Sequence, residues 1–95
     1  MKNWYELTKT YLILAISRLK DGKIITAYEE LEEIEKRFSE KIFEVEDEEE
    51  STLQELRRDL LSATKRLRKG ELIDAYLELE VIKDKLNKAE EKISA

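Results

Sequence analysis

Seven basic side chains fall into two short clusters, Arg18, Lys20 and Lys23 in the first half of the chain and Lys65, Arg66, Arg68 and Lys69 in the second. Cations gathered in this way suit phosphate oxygens, and binding of nucleic acid through them would weaken steeply with salt as counterions are released. The same residues also close two apolar-periodic stretches, where bases complement the negative end of a helix dipole. No aromatic side chains interleave with them to stack bases. An anion or nucleic-acid patch and a purely structural role therefore stand side by side for these seven residues.

A second charged feature is the run Glu44-Val45-Glu46-Asp47-Glu48-Glu49-Glu50. The net charge of −5 lives almost wholly there, because bases and acids nearly balance on either side. Glutamates at Glu46 to Glu50 could gather a divalent cation or a basic partner. They lack the spaced oxygens and turn-forming glycine of a calcium loop, so a solvated linker running into a helix N-terminus is the plainer reading.

Catalytic chemistry finds little to use. The chain has no Cys and no His, which removes imidazole and thiolate ligands, disulfides and the usual nucleophile–base pairs. No Gly-rich phosphate loop is present, and no carboxylate is singled out by an apolar setting. The expectation is a protein that is not an enzyme and carries no cofactor or metal.

These residues must be positioned by helices. Charged residues at 43%, two glycines and no proline describe an all-α composition with charged outer faces. Gly22 and Gly70 lie 48 positions apart, and Tyr11 to Phe38 aligns without a gap on Asp59 to Leu86 with 12 identities in 28 positions. The identities include Leu12/Leu60, Ala15/Ala63, Arg18/Arg66, Gly22/Gly70, Ala27/Ala75, Tyr28/Tyr76 and Leu31/Leu79. A helical hairpin is thus written twice, each glycine supplying the positive-φ residue after its first helix.

Apolar spacing predicts helices over about 4–20 and 24–43, with Trp4, Leu7, Tyr11, Leu12, Ala15, Ile16 and Leu19 on the first seam and Ile24, Ala27, Tyr28, Leu31, Ile34, Phe38, Ile42 and Val45 on the second. Two further helices carry Leu53, Leu56, Leu60, Ala63 and Leu67, then Leu72, Ala75, Leu79, Ile82, Leu86, Ala89 and Ile93, at coiled-coil-like spacing. Asn3 with Glu6 reads as an N-cap of the first helix. A turn interrupts the chain at the acidic run, with Asp47 and Glu50 or Ser51 and Gln54 capping the third helix. The expected fold is one domain over 1–95, an antiparallel up-down-up-down four-helix bundle of two hairpins, about 3–43 and 52–94, joined by an acidic junction at 44–51. Trp4, Phe38, Ile42, Phe43, Leu53 and Ile93 should close one end, and both glycine turns the other. Bases dominate the odd helices and acids the even ones, a bias that favours odd-with-even packing. Tyr28 and Tyr76 should be core residues whose hydroxyls reach the edge.

Within each hairpin an alanine, a glycine seven residues later, a second alanine and a large apolar residue recur as Ala15, Gly22, Ala27, Leu31 and Ala63, Gly70, Ala75, Leu79. This spacing resembles the small and large positions of tetratricopeptide hairpins, which implies peptide binding. The 48-residue period, the longer helices, Arg18 and Arg66 where that family has an aromatic, and the absence of proline depart from it. In architecture the doublet is similar to Rop-type bundles, whose hairpins dimerise and can act as RNA-binding regulators.

The run from Tyr11 to Ile16 is apolar all round, more than one buried stripe requires. Ile13 and Leu14 are therefore the expected self-association residues, giving a dimer across a two-fold axis. At six residues against the roughly 20 of a membrane span, the run crosses no bilayer. The N-terminus lacks the apolar stretch of a secretory signal, so the cytoplasm is the expected location. Abundant Glu and Lys with little Asn or Gln resembles hyperthermophile composition. The functional expectation is a small non-enzymatic interaction or adaptor protein with an unknown protein partner. The alternative is a nucleic-acid-binding regulator using the basic patch.

Overall fold

The computed structural model describes residues 3–94, with side chains through residue 92. Its four α-helices are, in chain order, α1 (Trp4–Lys20), α2 (Ile24–Ile42), α3 (Asp47–Arg68) and α4 (Leu72–Ser94). Each helix packs on two others, α1 on α2 and α4, and α3 on α2 and α4, so the section is a square with α1 and α3 on one diagonal. This is the all-α four-helix bundle that the repeat and its seams imply.

Local chemistry sets the ends. The Asn3 side chain accepts the backbone N–H of Glu6 at 2.9 Å and starts α1. Gly22 and Gly70 have φ of 77° and 80°, the only positive values among the described residues. Both turns close with the same bonds: the Lys23 N–H reaches the Arg18 carbonyl and the Glu71 N–H the Arg66 carbonyl, each at 2.9 Å. The junction between hairpins is shorter than its charge suggests. Helix α3 begins at Asp47 after Glu46 as N-cap, and Glu46 makes no side-chain cap bond. Asp47 to Glu50 thus form the first turn of α3, where four carboxylates meet the positive end of the helix dipole.

The core is a single column. Ala15, Ala27, Ala63 and Ala75 are fully buried at matching places of the two repeats, with Leu12, Leu31, Leu60 and Leu79 beside them. Small residues at these four points let the helices approach, and the leucines fill the layers between. Trp4 closes the junction end, its ring edge-on to Phe38 with centroids 5.4 Å apart.

Several seam residues differ from expectation. Phe43 is 92% exposed and closes nothing, because Ile42 takes the inward place and the next residue turns away by about 100°. The side chain of Ile93 lies outside the described residues. In α1 the buried stripe is Tyr5, Thr8, Leu12, Ala15, Ile16 and Leu19, which leaves Leu7 and Tyr11 exposed, as Ile24 and Leu72 are at the starts of their helices. Thr8 can sit fully buried because its hydroxyl donates to the Trp4 carbonyl at 2.8 Å.

Candidate interaction surfaces

The turn end holds all seven bases of the two clusters, since the last turns of α1 and α3 and the starts of α2 and α4 meet there. Most already have partners. Arg18 faces Glu30 at 3.4 Å. Its repeat mate Arg66 faces Glu78, the mate of Glu30, at 2.9 Å, with Glu71 at 3.4 Å and Asp74 at 3.7 Å. Lys20 lies over the Tyr76 ring, 5.3 Å from its centroid, and Arg68 over the Tyr28 ring at 5.8 Å. Among the described residues Lys23, Lys65 and Lys69 form no ion pair and are exposed. Tyr28 and Tyr76 pack half-buried against the core, as aromatics at these positions should.

Charge sorting by helix is visible at every seam. Lys9 of α1 bonds Asn87 at 2.6 Å and Glu90 at 3.1 Å on α4, and Arg57 of α3 meets Glu35 of α2 at 3.0 Å. Three pairs run the other way, with the base on α4: Lys85 with Asp59 at 2.8 Å and with Glu55 at 3.5 Å, and Lys92 with Glu48 at 3.1 Å. The Lys85 ammonium is held above its ordinary range, chiefly by the hydrogen bond to Asp59, against a smaller opposing effect of burial.

At the junction end the acids are engaged one at a time. The Tyr5 hydroxyl donates to Glu49, a contact that the sequence gives no sign of. Burial first, and then this bonded carboxylate, push the Tyr5 phenol well above its ordinary range. Lys41 faces Glu44 at 3.8 Å. Among the described residues no group of three or more His, Cys, Asp or Glu side chains is arranged to hold a metal ion.

The exposed apolar residues form a different kind of feature. Tyr11 lies at the α1–α2 edge, with the Arg37 guanidinium 5.1 Å from its ring centroid. Leu7 and Leu14, four before and three after it, share that edge. They are 37%, 42% and 40% exposed in chain order. Ile13 is 48% exposed but falls on the opposite flank, one turn from Lys9 and its α4 partners. The two residues expected to act together in self-association, Ile13 and Leu14, therefore point to different sides of α1. On α4, Leu77 and Val81 are exposed beside Arg66, Asp74 and Glu78 in a shallow groove against α3.

The repeat gives these residues a reference. At the places that hold Leu7, Tyr11 and Leu14 in the first hairpin, the second has Glu55, Asp59 and Ser62. At the places of Leu77 and Val81 the first hairpin has Glu29 and Glu33. Each of the five positions is thus polar in one of the two hairpins, so the fold requires an apolar residue at none of them. Comparing the repeats position by position is the signal that would have found Leu77 and Val81 in the sequence.

No known protein family, curated protein or solved structure matches this chain. Among the described residues no helix is long and apolar enough to cross a membrane.

Proposed function

We propose that this chain is a small non-enzymatic interaction protein, an adaptor that engages another protein through the exposed edge of α1. The observation that carries this reading is the triple Leu7, Tyr11 and Leu14, half-exposed on successive turns of one helix edge. Contiguous exposed apolar surface of this kind marks protein contact sites. The fold itself does not require it, since Glu55, Asp59 and Ser62 occupy the equivalent places on α3.

The basic end supports nucleic-acid binding less well. A phosphate there would have to displace Glu30 from Arg18 and three carboxylates from Arg66, and draw Lys20 and Arg68 off their tyrosine rings. Of the seven bases, Lys23, Lys65 and Lys69 alone have neither an ion pair nor an aromatic ring as partner among the described residues.

Affinity capture from the native host tests the adaptor reading, with wild type, Leu14→Glu and Ser62→Glu as baits. A partner held by wild type and Ser62→Glu but lost by Leu14→Glu is expected. An identical set of captured proteins on all three baits would overturn the reading. Nucleic acid travelling with wild type, and lost when Arg18, Arg66 and Arg68 become Glu, would favour the alternative.

A further inference from the structure

We infer that two copies of this chain can exchange hairpins, α2 and α3 of each joining into one long helix, and that the unpaired acids of the junction hold the chain in its closed form. Each bundle of the exchanged dimer is then the first hairpin of one copy packed on the second hairpin of the other. Every contact of α1 with α4 and of α2 with α3 is reproduced between copies. The inference is independent of the α1 edge as a binding surface, although an exchanged dimer carries two such edges.

The junction lacks what keeps the other two turns bent. Gly22 and Gly70 hold positive φ, and each turn closes with a pair of backbone bonds, from Gly22 and Lys23 to Leu19 and Arg18 and from Gly70 and Glu71 to Leu67 and Arg66. From Ile24 to Arg68 there is no glycine, no proline and no positive φ. Phe43 is still helical at φ −75° and ψ −13°, and Glu46 then turns extended at φ −84° and ψ 167° without a side-chain cap bond. A short linker made of residues that accept helical backbone is the hinge that hairpin exchange needs.

The buried residues fit the long helix. Phe38 and Leu56 are 18 residues apart, five whole turns at 3.6 residues each, and Ile42 and Leu53 are 11 apart, three turns and about 20°. Both stripes therefore fall on one face when the break between them is removed. The pairing register agrees as well. Glu35 meets Arg57, and Tyr28 lies under Arg68, so the midpoints of these pairs are residues 46 and 48. Two long antiparallel helices keep both pairs, now between copies, around a two-fold axis at the junction itself.

The acids oppose this form. Glu44 faces Lys41, Glu48 faces Lys92 and Glu49 accepts from Tyr5, whereas Glu46, Asp47 and Glu50 have no ion-pair partner among the described residues. In the closed chain Asp47 and Glu50 sit in the first turn of α3, at the positive end of its dipole. The long helix has no such end there. It also makes Glu46 and Glu50 like-charge neighbours one turn apart and sets the acids at the axis against those of the second copy.

Refolding from denaturant at about 1 mM tests the exchange, because a short linker gives an effective concentration of millimolar order with which the second copy must compete. Light scattering should show, beside the 11.3 kDa chain, a species of twice that mass. Glu46→Gln, Asp47→Asn and Glu50→Gln together should raise its fraction several-fold. Asp47→Pro should lower it at least about tenfold while the bundle still folds. Asp47 is the first helical residue and Glu46 already has the extended backbone that a following proline demands, so the closed form accepts this change. Inside a long helix the same proline removes a bond and clashes with the preceding turn. Dyes on Ile25→Cys and Lys69→Cys report the geometry, since the chain has no other cysteine. In the closed chain they lie within the 24 Å width of the bundle, whereas 44 residues of unbroken helix part them by about 66 Å. A doubly labelled chain refolded in excess unlabelled chain should thus lose nearly all energy transfer in the dimer fraction. Wild type that gives only monomer, no gain on removing the three acids, a dimer as abundant in Asp47→Pro, or unchanged transfer in the dimer would each overturn the inference. None of these variants alters α1, so such a failure leaves the reading of the α1 edge standing.

Discussion

Lys20 near the end of α1 lies over the ring of Tyr76 in α4, and forty-eight residues on Arg68 near the end of α3 lies over Tyr28 in α2. Each hairpin thus lends a cation to the tyrosine of the other, and the exchange ties the two repeats together at the turn end. Cation–π contacts that are partly exposed contribute about 0.5–1 kcal/mol each. Tyr28→Leu and Tyr76→Leu should keep the apolar packing and lose this term. Chemical denaturation is expected to show a loss of about 1 kcal/mol or less per variant, nearly additive because the two sites are separate. Loss from only one of them would mean that the repeats do not share the device.

The two glycine turns should respond alike. At both, an added Cβ would meet nothing within 4 Å, so the penalty is the backbone conformation alone. Gly22→Ala and Gly70→Ala are each expected to cost about 1–2 kcal/mol. Thermal melts of the single and double variants measure this, and a stabilising substitution at either would contradict the positive φ.

Alkaline pH should expose the Tyr5–Glu49 contact. The folded phenol holds its proton to higher pH than the unfolded one, whose ordinary value is about 10. Below pH 10 both states are protonated and the contribution is complete. Above it the unfolded chain releases its proton first, so stability falls as pH rises. Lys85, shifted upward by Asp59, adds a slope of the same sign above its own ordinary range. Tyr5→Phe should flatten the decline above pH 10 without abolishing it, as read from denaturation midpoints across pH 8 to 12. An unchanged slope would mean that Tyr5 titrates as an ordinary phenol.

Arg66, with three carboxylates within 3.7 Å, should contribute more than Arg18 with one. Both side chains are over a third exposed, which keeps each effect near about 1 kcal/mol or below. Arg66→Ala is expected to lower the melting temperature more than Arg18→Ala, and added salt should narrow the gap.

The bundle was legible because the glycines, the four buried alanines and the leucine layers are local signals repeated in one chain. The phase of α1 was not. Apolar residues surround this helix between Tyr11 and Ile16, so a 3.6-residue period fits more than one stripe. The choice fell to Thr8, a polar residue that buries by bonding the Trp4 carbonyl, and it turned Leu7 and Tyr11 outward. Phe43 escaped for the opposite reason: a large aromatic suggests a core, yet the helix ends at Ile42 and nothing packs over the next residue. The surface itself was half legible, since the run containing Leu14 betrayed excess apolar character. Only the Arg37–Tyr11 contact assigns Leu14 to the α2 side, and only Lys9 with its α4 partners assigns Ile13 to the other.

The central claim is that the Leu7–Tyr11–Leu14 edge is a protein-binding surface. Affinity capture from the native host tests it most directly, with wild type, Leu14→Glu and Ile13→Glu as baits. A protein held by wild type and Ile13→Glu and lost by Leu14→Glu is the expected result. The same captured proteins on all three baits would contradict the account.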